Sequence, residues 1–376
     1  MDEFQPPFCA NPACPHHHCG PSAPYTAFVP WGSYKTLAFG IVPRFRCSSC
    51  GKTFSRQTFR VDYWLKRVLD YDDLELRLAS CSSIRAIGRA WGVAGKAVQN
   101  RIGRAARQAL AFASRLASLR RPAEDLAADG FESFCVSQYF PNNIHLLVGS
   151  GSQFVYEADH ATIRRKGRMT AFQRARRERL ERLFRPPPGA LVVSFGRVVA
   201  ASLSVLSDGA RPSFILWTDQ KREYGRAIEA SPCAGAMLEA GRIRHLTISS
   251  RAARTRENPL FPVNYLDREL RKDLHEHVRE STCFGRNVNS QMERLVLYLH
   301  YHNFRKRHRT RLPGTTHAGE AGYPLAEVAA GLGRLWKERA WLTRTELAES
   351  GRETWLRLRA TPLKGTREYR AKHVAA

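Results

Sequence analysis

Cys9-x4-Cys14 and Cys47-x2-Cys50 put four soft metal ligands into the first fifty residues, and few folds other than a small metal-pinned module can form around them. The second pair stands in Arg46-Cys47-Ser48-Ser49-Cys50-Gly51-Lys52, where glycine permits the tight turn of a metal knuckle. Four thiolates make a closed tetrahedral Zn²⁺ site with no open position for substrate. The metal is therefore expected to be structural, and its binding to drive the folding of a module too small to fold alone. Cys19 and His16 to His18 leave the first ligand pair open, with Cys14 and Cys19 together, or a histidine, as alternatives. In a reducing compartment such a cluster points to metal rather than to disulfides. The other cysteines, Cys81, Cys135, Cys233 and Cys283, are scattered and are expected to be packing residues.

At 376 residues, 43% of them hydrophobic, the chain exceeds one ordinary domain and can bury real cores, so two or three domains are expected. Lysine and arginine outnumber aspartate and glutamate 60 to 34, giving a formal charge of +26. A polyanionic partner is the leading explanation, with a membrane surface as the competing one. The start, Met1-Asp2-Glu3-Phe4-Gln5-Pro6-Pro7, has neither the basic nor the apolar region of a secretory signal, so a cytoplasmic location is expected. The most apolar stretch, 190–206, is interrupted by Arg197 and by several serines and glycines and is no membrane span.

Residues 1–60 lack helical periodicity and suit a zinc ribbon of short strands and turns. Residues 61–121 turn helical. Within them Ser82-Ser83-Ile84-Arg85-Ala86-Ile87-Gly88-Arg89-Ala90-Trp91-Gly92-Val93 offers a serine cap, a short helix and a glycine turn, the pattern of a helix-turn-helix. Ile84, Ile87, Trp91, Val93, Val98 and Ile102 can form one small core. Lys96, Gln99, Asn100, Arg101 and Arg104 are then expected to face outward, where their chemistry suits a DNA major groove. The ribbon beside them would position further DNA contacts.

Residues 122–310 alternate between strands and helices. Segments 131–137, 144–149 and 154–158 suggest an antiparallel meander. The stretch 164–185 holds ten arginines and lysines, Arg164, Arg165, Lys166 and Arg168 among them, against Glu178 and Glu181, and stops at Pro186-Pro187-Pro188. It is expected to be a basic helix or arm inserted near 164–188. A strand ending in Trp217-Thr218-Asp219 follows, then helical character over 223–230, a strand over 242–249, and helices over 267–280 and 291–300. A basic cluster with Arg305 and Lys306 precedes a helical C-terminal extension, 311–376. The fold class expected is multidomain α/β: zinc ribbon, helix-turn-helix domain, mixed-sheet catalytic domain and helical tail.

A ribonuclease H-like nuclease draws carboxylates from strand one, strand four and a later helix, because two divalent metals must bridge one phosphate. Asp129 stands at the start of the first strand and Asp219 closes the Phe214-to-Thr218 strand, the positions such a fold needs. For the third acid, Asp267 is preferred because Arg271 lies one turn on. Glu269 is the runner-up, two residues away on a different helix face.

Taken together, residues 9–309 resemble bacterial insertion-sequence transposases with an aspartate-aspartate-acid triad. The resemblance rests on Cys47-Ser48-Ser49-Cys50-Gly51-Lys52-Thr53-Phe54-Ser55, on the helix-turn-helix and on Trp217-Thr218-Asp219. It extends to the stretch from Asn258-Pro259-Leu260-Phe261-Pro262-Val263-Asn264 to Ser281-Thr282-Cys283-Phe284-Gly285-Arg286. It implies Asp129, Asp219 and Asp267 holding two Mg²⁺ or Mn²⁺, cleavage and strand transfer at element ends, double-stranded DNA as partner, and a homo-oligomer on that DNA. The basic arm and the Arg305 cluster would bind phosphates. In the family the third acid is usually glutamate, whereas here Asn264 falls near that place and Asp267 one turn later. A DNA-binding regulator without catalysis is the alternative.

Overall fold

The computed structural model describes residues 4–19, 27–120, 123–207, 211–278, 281–309 and 314–364. Met1 to Glu3, Arg121-Pro122, Arg279-Glu280 and both ends of the 311–376 extension lie outside the described residues. The chain is a multidomain α/β protein, and its described residues form helices, a three-stranded antiparallel sheet and a five-stranded mixed sheet.

The first sheet is built from β1 (Phe28–Thr36), β2 (Gly40–Cys47) and β3 (Thr53–Ser55) in sequential order. Phe45, Phe54 and Phe59 form its core with the cysteines. So few apolar residues cannot hold a module of this size alone. Two helices follow α2 (Tyr71–Leu78): α3 (Ile84–Ala90) and α4 (Gly95–Ala117). Ser83 caps α3 by accepting the backbone N–H of Ala86 at 3.2 Å, and Gly92 makes the turn in the left-handed region at φ +61°. Ile87, Val98 and Ile102 are fully buried in the core formed here, with Ile84, Trp91 and Val93 packed at its edge, as the spacing predicted.

The second sheet holds β4 (Leu126–Phe134), β5 (Pro141–Gly149), β6 (Val155–Thr162), β7 (Phe214–Asp219) and β8 (Ile243–Ile248) in the order β6-β5-β4-β7-β8. The meander β4-β5-β6 is antiparallel, while β4, β7 and β8 run parallel. The central strand starts at Leu126, earlier than expected. Leu126, Ala127 and Ala128 are buried on both faces and so show none of the alternation that marks a half-exposed strand.

Helix layers cover both faces. On one, α9 (Phe261–Asp273) and α10 (Val288–Phe304) pack Val263, Leu266, Leu270, Met292 and Leu295 against Ala127, Phe131 and Leu146. On the other, α6 (Ala190–Ser207) and α7 (Arg222–Glu229) pack Phe195, Val198 and Tyr224 against Leu126, Ala128 and Leu147. Helix α9 begins at Phe261 rather than near Asp267, because Pro262 in the first turn needs no hydrogen bond there and presets the backbone.

The segment after 314 runs back across the molecule. Helix α12 (Leu325–Leu335) packs on α4, and α13 (Glu349–Leu356) sits against β6 and α10. Between them Trp341 enters the aromatic core of the first sheet, its ring 5.4 Å from Phe8 and 6.0 Å from Phe59. Among the described residues, no helix is long and apolar enough to cross a membrane.

Candidate functional site

Cys9, Cys14, Cys47 and Cys50 bring their sulfurs within 4.8 Å of one another. Cys9 lies 3.6 Å from Cys50 and Cys14 3.8 Å from Cys47, close to the edge of about 3.8 Å that a tetrahedron with Zn–S bonds of about 2.3 Å requires. Each pair is held in a tight turn. Gly51, at φ +68°, lets its N–H reach the Cys47 carbonyl at 3.0 Å, and the Cys14 N–H reaches the Asn11 carbonyl at 3.0 Å. Burial pushes the Cys9 and Cys14 thiols up, whereas at Cys50 the Lys52 amide and the neighbouring thiols outweigh burial and hold it at about 7. Four crowded sulfurs in these surroundings can bind a metal such as zinc.

The alternatives for the first pair are resolved. Cys19 donates to the Pro15 carbonyl, outside the cluster. His17 is fully buried, its Nδ1 2.7 Å from the Cys9 carbonyl and its Nε2 2.7 Å from Thr343 Oγ1. Arg344 then donates to the His17 carbonyl. The cluster is thus braced by the segment around residue 341, a link between distant residues that no local pattern signals. Of the scattered cysteines only Cys135 is a buried packing residue; Cys81, Cys233 and Cys283 are exposed.

A group of three aspartates lies at the end of the mixed sheet. Leu126 pairs with Leu216 and Ala127 with Trp217 in parallel, so Asp129 and Asp219 each stand two residues beyond the last pair on neighbouring strands. Both then point to the face covered by α9, which carries Asp267. Asp129 and Asp267 each feel a neighbouring acid. Burial and then Asp219 push the Asp129 carboxyl up, and burial and then Asp129 push Asp267 up to about 8. Asp267 Oδ1 is sealed from solvent without a hydrogen-bond partner. Among the described residues, only the cysteine cluster brings every ligand atom within 4.8 Å. One ion bound by all three aspartates would need that closeness. A pair of ions about 3.5–4 Å apart would not, because the outer ligands of each ion then stand further apart.

Glu269 is excluded from this group. It is buried on another face of α9, paired with Lys272 at 3.3 Å and with Lys306, and their positive charge outweighs burial to keep its carboxyl below the ordinary range. Arg271 does not hold Asp267 by a hydrogen bond but donates to the Glu132 carbonyl at 3.2 Å, its charge still favouring ionised Asp267.

Two residues absent from the sequence expectations donate hydrogen bonds to these aspartates. The Tyr224 hydroxyl donates to Asp129 Oδ1 at 3.1 Å, and the Lys221 backbone N–H donates to Asp219 Oδ1 at 2.9 Å. Burial and the fields of Asp129 and Asp219 push the Tyr224 phenol up, so it remains a donor. The one clue was Tyr224, Ala227 and Ile228 at helical spacing behind Asp219.

The residues expected to touch DNA divide into exposed and engaged groups. Lys96 and Asn100 are exposed. Gln99 is half-buried and donates to Glu293 at 3.1 Å. The outward placing of Arg101 and Arg104 is corrected. Both are buried, Arg101 donating to the Arg67 carbonyl at 3.0 Å and Arg104 to the Val61 carbonyl at 2.9 Å. Helix α4 is covered by α2 and α10, so these two arginines donate to backbone carbonyls inside the protein. Arg305 pairs with Asp72 at 2.6 Å and Glu75 at 2.8 Å, and Lys306 pairs with Glu269, so these two are internally engaged, while Arg307 and Arg309 beside them are exposed.

The basic stretch differs. Helix α5 (Ala171–Leu183) buries none of its side chains. Arg164 is tied to Glu181 at 2.7 Å and Arg165 to Gln138 at 2.9 Å, while Lys166, Arg168, Arg174, Arg176, Arg179 and Arg182 are exposed. Compared with known proteins, this chain matches no family model and no curated sequence.

Proposed function

We propose that this protein is a metal-dependent DNA transposase of the aspartate-aspartate-acid type, with a structural zinc ribbon, a helix-turn-helix and a ribonuclease H-like catalytic domain. The observation that carries the reading is the register of β4 against β7. It sets Asp129 beside Asp219, under a helix whose Asp267 has a sealed, unpartnered carboxylate oxygen. Strand one, strand four and a later helix are the sources expected for such a triad, and the order β6-β5-β4-β7-β8 agrees with them.

Buried carboxylates that repel one another raise the free energy of the folded chain unless a cation neutralises them. Two Mg²⁺ or Mn²⁺ held by Asp129, Asp219 and Asp267 would stabilise the charge that develops on phosphate during in-line displacement. In the first reaction water attacks phosphorus, breaks the bond to the 3′ oxygen and frees a 3′-hydroxyl. In the second that hydroxyl attacks a target phosphorus and displaces another 3′ oxygen, one P–O bond forming as one breaks. The chain's part is positional: the Lys221 amide and the Tyr224 hydroxyl each fix one oxygen of an acid.

The charge of +26 and the exposed α5 support double-stranded DNA as the partner. The exposed Lys96 and Asn100 of the helix-turn-helix support contact with base edges. Work on element ends further implies a homo-oligomer on the DNA and a site of action in the cytoplasm.

The test is strand cleavage and joining on DNA carrying the gene's native flanks, with Mg²⁺ or Mn²⁺, comparing wild type with Asp219→Ala. Cleavage lost in the variant with DNA binding retained is the expected result. Tight binding by wild type without any cutting would replace this reading with that of a DNA-binding regulator.

A further inference from the structure

Tyr224 is fully buried where α7 meets the sheet. Its ring stacks on Phe195, with centroids 4.1 Å apart and planes at 26°, and meets His145 at 5.6 Å and 74°. Two rings at right angles to one another's approach leave a close-packed phenol little freedom to turn. Its hydroxyl donates to Asp129 Oδ1 at 3.1 Å, and the same oxygen takes the Gly130 N–H at 2.7 Å. Asp219 repeats the pattern, its Oδ1 taking the Lys221 N–H at 2.9 Å. Among the described residues no hydrogen bond engages Oδ2 of either aspartate. Each strand acid therefore has one oxygen anchored and one left as a ligand.

We infer that Tyr224 is the positioning residue of the acid centre: its hydroxyl, held by Phe195 and His145, locks the Asp129 carboxylate so that Oδ2 serves a divalent cation. The inference rests on the reading that these acids bind such a cation. Asp219 is anchored by a backbone N–H alone, whereas Asp129 has the Gly130 N–H and, in addition, the Tyr224 side chain, which a substitution can remove. Partners that orient a metal ligand are worth about 10–100-fold in metal affinity.

The test uses the full-length, zinc-loaded protein and Mn²⁺ alone, followed by calorimetry and by the electron paramagnetic resonance of free Mn²⁺. Tyr224→Phe keeps the ring and removes the hydroxyl. Mn²⁺ binding should weaken about 10–100-fold, with the thermal midpoint and DNA affinity nearly unchanged. In cleavage assays the Mn²⁺ concentration for half-maximal rate should rise by the same factor, and saturating Mn²⁺ should restore most of kcat. Phe195→Leu retains the hydroxyl but frees the ring, and should weaken Mn²⁺ binding to a lesser degree; it stands in if Tyr224→Phe fails to fold. If both variants bind Mn²⁺ within about two-fold of wild type while Asp129→Ala does not bind it, Tyr224 is only a packing residue and the inference fails. If wild type itself binds no Mn²⁺ at these acids, the reading of the acid centre fails first.

Discussion

Arg359 donates to Asp159 Oδ1 at 2.5 Å across 200 residues of sequence, and both side chains are sealed from solvent. Burial works against ionised Asp159, but Arg359 and Arg197 outweigh it and hold the carboxyl below its ordinary value. Arg359 also pairs with Glu353 of α13 at 3.1 Å, so this network fastens the late part of the chain to β6.

Removing one partner of such a pair leaves a buried charge. Arg359→Ala should lower the unfolding free energy by about 3–5 kcal/mol in urea denaturation followed by circular dichroism. Asp159→Asn added to it should recover part of the loss. The carboxyl is depressed in the folded state, so its contribution is present above the unfolded value of about 3.9 and is lost as pH falls through and below it. A loss under about 1 kcal/mol would show that Arg197 alone satisfies Asp159.

The cysteine cluster should hold one zinc per chain, and Cys47→Ser should release it. Because His17 and Trp341 join the cluster to the segment beyond, chelation should expose more than the ribbon. Hydrogen exchange over residues 339–345 should speed up together with that of residues 8–19. Unchanged protection of 339–345 would mean that this segment is held by α4 and not by the ribbon.

Asp267 is pushed up to about 8 by burial and by Asp129. A folded-state carboxyl raised in this way weakens the fold progressively as pH climbs above its unfolded value of about 3.9, with the full effect reached above the folded value. Without divalent cations, Asp267→Asn should therefore stabilise the protein by roughly 1–3 kcal/mol at about pH 9 and scarcely at all at about pH 4. Mn²⁺ should reverse the order at the higher pH. Thermal melts of both proteins at the two pH values decide it, and equal midpoints throughout would refute the burial of charge at this position.

Arg176, Arg179 and Arg182 of α5 are exposed, so charge reversal there is a clean probe of DNA contact. Arg176, Arg179 and Arg182 changed together to Glu should leave the melting midpoint in place. If each contacts a phosphate, the change should weaken DNA binding and flatten the slope of log affinity against log salt by about 3. Arg104→Ala should do the opposite, lowering stability through the lost bond to the Val61 carbonyl while leaving the salt slope alone.

What the sequence revealed was local. The knuckle spacing, the Ser83 cap and the Gly92 turn are properties of a few consecutive residues, and so is a strand that ends in Asp219. Arg101 and Arg104 were misjudged for the converse reason. Helical periodicity marks one face as apolar but cannot say that α10, nearly two hundred residues on, covers the polar face as well. Glu269 stands only as the runner-up to Asp267 in the sequence, and its pairing with Lys306 comes from the fold. Tyr224 needed the β4–β7 register before its hydroxyl had an acid to meet.

The aromatic core of the ribbon includes Trp341, so the module made first is completed last. About 280 residues separate Phe59 from Trp341, which at about 5–20 residues per second is on the order of 15–60 s of synthesis. Through that interval the emerging chain carries Phe8 and Phe59 without their cover. Zinc captured early by the four cysteines would hold the ribbon in shape while it waits, making metal supply during translation a condition of correct assembly.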